Sequence, residues 1–180
     1  MDWNEVGANT AEIKPDSSPS HGLWIADYPE APANANDSRM NHRELLPIPP
    51  IETANDPVHS AADLRQRWRA LVGPLGFEER LLWFGLIGPD RCFTKKLSQV
   101  QIRPRPQGRI IWNLMSALRT LLDDLGPDTT VALLLTGPGR GPVASADRVW
   151  SKTLSDMAER FAVPLEPIFR ANDDSLELVG

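Results

Sequence analysis

The chain has 180 residues, 19 Lys and Arg against 24 Asp and Glu, and a formal charge of −5, with three histidines and a single cysteine. That length fits one ordinary domain with something attached. His21, His42 and His59 all precede residue 60 and Cys92 stands alone. The remainder therefore has no His or Cys cluster for a zinc site, no histidine base and no internal disulfide.

Residues 1–58 hold eight of the 17 prolines, and up to His59 there are three basic against ten acidic residues. Such a stretch cannot bury enough apolar surface to offset its ordering entropy, so a disordered acidic arm is expected there. Inside it, residues 22–28 are more apolar. Leu23, Trp24, Ile25 and Tyr28 form either a transient cluster or a short recognition segment for a partner protein. Residues 45–51 read as an extended, polyproline-like approach. The start, Met-Asp-Trp-Asn-Glu, is acidic and no apolar run follows it, unlike a secretory signal. The longest apolar runs, 81–87 and 131–135, fall far below the roughly 20 residues that span a bilayer. A soluble cytoplasmic protein with no membrane partner and no cofactor is the expectation.

A single globular domain is expected over residues 59–180, with 16 basic against 14 acidic residues from Ser60 onward. Ser60 and Asp63 have capping-box spacing, Leu64, Trp68 and Leu71 share a helical face, and Gly73-Pro74 ends the helix. Residues 80–87 and 92–103 suggest a hairpin about Gly88-Pro89-Asp90. Pro104 and Pro106 break the chain. A helix is expected over 108–125, with Ile111, Leu114, Leu118, Leu121, Leu122 and Leu125 as its apolar stripe. Residues 130–136 read as a strand covered on both faces. After a Gly/Pro loop at 137–142, a helix over 145–161 presents Trp150, Leu154, Met157 and Phe161. Strands at 164–170 and 175–179 close the chain. The order α-β-β-α-β-α-β-β predicts an α/β fold, a mixed sheet flanked by helices.

Two segments could carry chemistry. The first is the strand–loop–helix unit holding Thr136, Gly137, Gly139, Arg140, Gly141, Ser145 and Asp147. Ligands of open α/β sheets bind beyond the carboxyl ends of strands, and a helix N-terminus attracts anions. Arg140 would add a bidentate phosphate or carboxylate donor. The loop lacks the Gly-Lys-Ser/Thr ending of a Walker A motif and the Gly-x-Gly-x-x-Gly spacing. The simpler reading is a tight turn with Ser145 or Asp147 capping the helix. The second segment is basic: Lys95, Lys96, Arg103, Arg105 and Arg109, with Trp112 near. It is either a charge-protected strand edge or a docking site for the chain's own acidic arm, for an acidic partner or, less favoured, for nucleic acid. Cys92 reads as a small buried residue.

From about residue 79 onward the chain resembles the JAB/MPN domain of RadC-type proteins. The resemblance rests on element order and on Glu79-Arg-Leu-Leu-Trp-Phe, Pro138, Pro142, Ser145-Ala-Asp-Arg and Phe161-Ala-Val-Pro-Leu-Glu-Pro-Ile. It implies a layered fold and a zinc-binding His-x-His-x7-Ser-x2-Asp signature. Here the histidine positions fall on Leu135 and Gly137, Ser145 matches, and the aspartate comes one residue early at Asp147. The resemblance thus implies the scaffold without its metal or catalytic residues: a pseudoenzyme acting by interaction or regulation. A binding protein or enzyme for a small phosphate or carboxylate at 137–141, and a nucleic-acid accessory protein, stay open beside it.

Overall fold

A computed structural model of the chain describes residues 47–179. The expected disordered arm up to residue 46, with Leu23, Trp24, Ile25 and Tyr28, lies outside the described residues. The elements are α1 (Ala61–Val72), β1 (Leu81–Ile87), β2 (Phe93–Gln101), α2 (Gly108–Leu125), β3 (Thr130–Thr136), α3 (Ser145–Arg160), β4 (Phe169–Ala171) and β5 (Leu176–Leu178). A short 3-10 helix, Ile51–Asn55, precedes them. The α/β class and the element order are those expected.

One mixed sheet runs β2-β1-β3-β4-β5. All its neighbours are antiparallel except β3 and β4, which are parallel. β3 is the centre, and period-2 alternation splits its side chains between two cores. Val131, Leu133 and Leu135 pack with Ile111, Met115, Trp150 and Leu154 of α2 and α3. Ala132 and Leu134 pack on the other face with Leu64 and Trp68 of α1. Each such Leu contributes about 1.5–3 kcal/mol when fully buried. That double coverage is why 130–136 reads as a continuous apolar run.

Local chemistry sets the ends. Ser60 Oγ accepts the Asp63 N–H at 3.1 Å, and the Asp63 carboxylate accepts from the Ser60 hydroxyl and the His59 N–H. Those bonds, the hydroxyl's first, hold the Asp63 carboxyl below its usual range. Gly126 adopts φ 95°, which ends α2. Between β1 and β2 the register slips: Gly85 faces Leu97 but Ile87 faces Phe93. β2 therefore bulges at residues 94–96. A Cβ on Gly85 would stand 2.9 Å from the Phe93 ring, so only glycine leaves room for that ring to lie across the hairpin.

Three expectations are corrected. The strand expected at 164–170 contracts to Phe169–Ala171. Its first part runs beside β3 as a single bridge, Val131 with Leu165, because Pro164 and Pro167 have no N–H to donate. On α2, Leu121 and Leu125 are 42% and 47% exposed, and Met115 is buried instead. At 100° per residue the sheet-facing line is Ile111, Met115, Leu118 and Leu122, and the two outlying leucines flank it. Residues 51–58, expected to belong to the arm, carry the 3-10 helix and the buried Val58. Val58 N–H donates to Arg91 O and Arg91 Nε to Val58 O, so this segment is bonded to the hairpin turn.

Arg91 also meets Glu166 at 2.7 Å, and the Thr130 hydroxyl donates to the same carboxylate. Partial burial pushes the Glu166 carboxyl up, but the bonds from Arg91 and Thr130 outweigh it and leave it below the usual range. The folded state thus binds protons less readily than the unfolded chain at this site. Its contribution is complete above about pH 4.5 and is lost as pH falls through the lowered value. The expected result is a urea midpoint nearly level from pH 7 to about 5 that falls below about pH 4, with a shallower fall in Arg91→Ala. A midpoint that rises on acidification would contradict this sign.

Candidate functional site

The carboxyl end of β3 is where the sequence puts its first candidate site. Thr136 is buried, and its hydroxyl accepts from Trp83 Nε1 at 3.1 Å. Gly137 follows, also buried, with its N–H donated to Ala171 O. A Cβ on Gly137 would lie 2.9 Å from Arg80 Cγ. The position is glycine because the Arg80 side chain passes directly over it.

Arg80 reaches across Gly137 to Asp147, in the first turn of α3, where Nη1 donates to Oδ1 at 3.2 Å. Arg170 of β4 approaches the other oxygen, with Nε 3.3 Å from Oδ2. The Ala144 N–H donates to the same Oδ2 at 3.2 Å. Asp147 is 4% exposed and Arg170 8%. The carboxylate thus ties together the lead-in to β1, the start of α3 and the middle of β4. A buried arginine between Phe169 and Ala171 requires such a partner, because a buried unpaired charge is prohibitively costly.

The loop itself is anchored from behind. Arg170 Nη1 and Asn172 Nδ2 both donate to Gly141 O at 3.1 Å. Asn172 is fully buried, and its Oδ1 accepts from the Asp174 and Ser175 N–H groups and from the Ser175 hydroxyl. The Asp173 carboxylate accepts the Gly139 N–H at 2.8 Å and the Phe77 N–H at 3.1 Å. Those two bonds, Phe77's first, hold the Asp173 carboxyl below its usual range, with Arg140 and Arg170 adding to the effect. The protein's own carboxylate therefore sits on the loop amide that an anion would use. Gly139 and Gly141 adopt φ 108° and 97°, the left-handed region that the turn needs.

The seven candidate residues are thus brought to one end of the sheet, in different roles. Thr136, Gly137 and Asp147 are interior parts of the junction. Gly139 and Gly141 spend backbone groups on Asp173, Arg170 and Asn172. Arg140 and Ser145 are exposed on its surface. Of Ser145 and Asp147 as caps, Asp147 bonds the Ala144 N–H. Sequence reasoning missed Arg80, Arg170, Asn172 and Asp173. The signal for Arg170 was there: one cation inside an apolar strand.

Among the described residues, no three His, Cys, Asp or Glu side chains gather in a way that could hold a metal ion. Leu135, the first histidine position of the JAB/MPN resemblance, is 2% exposed and packs in the core against α2 and α3. Leu135 and Gly137 offer no ligating atom, and both Asp147 oxygens are bonded. The residues at this position do not fit zinc. No helix among the described residues is long and apolar enough to cross a membrane.

No protein-family model, curated protein or solved structure matches this chain.

The second candidate segment is not one cluster. Lys95 and Lys96 lie in the bulge of β2, and Arg103, Arg105 and Arg109 lie beyond its far end. Lys96 and Arg103 are seven residues apart, about 20 Å of extended chain. All five side chains are exposed. Trp112 is held edge-to-face by Phe161, ring centres 4.7 Å apart, and Arg160 stacks over it. Cys92 is half-buried in the turn, not enclosed as expected. Burial and then Asp90 push its thiol up, away from the reactive thiolate. A groove of about 630 Å³ lies elsewhere, between Pro47–Pro50, α1 and β5, with Arg65, Arg69, Leu75 and Glu177 on its walls.

Proposed function

We propose that this chain is a non-catalytic interaction or regulatory protein on a metal-free, JAB/MPN-like domain. The observation that carries this reading is the bonding of Asp147. Its carboxylate is shared between Arg80 and Arg170, at the place where the resemblance puts a catalytic metal. Two guanidinium groups take over the electrostatic role of a cation and leave no coordination position. The order hairpin, helix, buried strand, loop, helix and closing strands supports the JAB/MPN part of the reading.

The glycine loop supports a small-anion site less well. An incoming phosphate would have to displace Asp173 from Gly139 and face that carboxylate's charge. The test is a peptidase and isopeptidase assay with and without chelator, run beside thermal unfolding in inorganic phosphate and nucleotides. The expected result is no chelator-sensitive turnover and no ligand-dependent shift. A ligand at about 100 times its Kd would add about 2.7 kcal/mol. A shift of that size that disappears in Arg140→Ala would instead establish the anion site, and chelator-sensitive cleavage would establish an enzyme.

A further inference from the structure

Strand β2 is one edge of the sheet, and among the described residues no strand pairs with its outer side. Its regular part is Leu97–Gln101, paired residue for residue with β1 from Gly85 back to Leu81. Ser98, Gln99 and Gln101 are exposed. An edge of this kind presents a row of backbone N–H and C=O groups to a further strand. The bulge with Lys95 and Lys96 closes one end of the row, and Arg103, Arg105 and Arg109 stand past the other. From Arg91 to Leu122 the chain holds seven Lys and Arg and no Asp or Glu. Glu79 is one acidic side chain at this edge, accepting a bond from Gln101.

We infer that the β2 edge accepts an extended acidic segment of a partner protein, added as a further antiparallel or parallel strand. This rests on the interaction reading above and names the surface and the chemistry of the partner. Charge complementarity selects an acidic occupant. Cations at both ends disfavour a second copy of this edge, whose own cations they would meet. They attract a strand with carboxylates at each end and neutral residues between. Opposite charges facing each other across strands attract, and the backbone ladder supplies the rest of the affinity. Nucleic acid fits less well. Phosphate recognition wants cations grouped on one face and aromatic faces to stack on. Here the cations are split about 20 Å apart, and Trp112 already packs edge-to-face with Phe161 and under Arg160.

The test uses the full chain and a labelled nine-residue peptide with two acidic residues at each end and alternating Val and Thr between. Its counterpart has lysine at the four acidic positions. The acidic peptide should bind, should weaken at least tenfold in Lys95→Glu/Lys96→Glu, and should weaken as salt rises. Amide exchange should slow across residues 97–101 when it binds. Lys152→Glu, an exposed charge change on α3, should leave binding unchanged. Failure of the acidic peptide to bind the wild-type chain, equal binding of both peptides, or protection confined to other residues would overturn the inference. So would oligothymidine protecting 97–101 where the acidic peptide does not. None of these outcomes bears on whether the chain cleaves anything, so the interaction reading and this surface fail separately.

Discussion

Asp147→Ala is expected to destabilise the folded chain by about 3–5 kcal/mol, the range for removing one partner of a buried ion pair. The loss exceeds that of one contact because two guanidinium groups are left behind. Arg170 is 8% exposed, so it recovers little hydration and keeps its bond to Gly141 O. Arg80, with its side chain 29% exposed, recovers part of its hydration. Loss of about 3 kcal/mol lowers the unfolding midpoint by roughly 10 °C in a domain of this size. A discriminating companion is the triple replacement Arg80→Leu/Asp147→Leu/Arg170→Met. Removing every charge together avoids the orphaned cations, so it should be less harmful than the single change. A single alanine variant with an unchanged midpoint would mean that the carboxylate does not hold the junction.

Trp150→Ala should be of similar size, about 3–5 kcal/mol, by a different cause. Trp150 is fully buried in the core shared by α2, α3 and one face of the sheet. Its Nε1 donates to Arg103 O at 2.9 Å, which fixes the chain between β2 and α2. Truncation leaves a cavity and an unpaired carbonyl together. Trp150→Phe keeps most of the volume and loses the bond, so its effect should fall to about 1–3 kcal/mol. Denaturant unfolding of both variants separates the two contributions. Equal losses would assign the whole effect to the bond, and no loss in either would remove Trp150 from the core.

The sequence was most informative where one residue's neighbours along the chain determine its state. The capping pair Ser60 and Asp63, the glycine stop at Gly126 and the apolar run of β3 are local signals, and each appears in the structure. It was least informative where partners lie far apart. Arg80 and Asp147 are separated by 67 positions, and Phe77 and Asp173 by 96. No spacing rule connects such pairs. The glycine loop reads from sequence as an anion cradle because the carboxylate that fills it belongs to the next turn but one. Likewise Leu121 and Leu125 belong to the apolar set by composition, but the helix has only one face toward the sheet. The strand at 164–170 fell short for a local reason that was legible, two prolines without donors.

The most direct measurement is the mass of the full chain under non-denaturing conditions, after expression in zinc-supplemented medium and desalting. With Asp147 committed to Arg80 and Arg170, the expected species is the metal-free polypeptide of 20.0 kDa. One firmly retained zinc per chain, lost when Asp147 is replaced by asparagine, would contradict it.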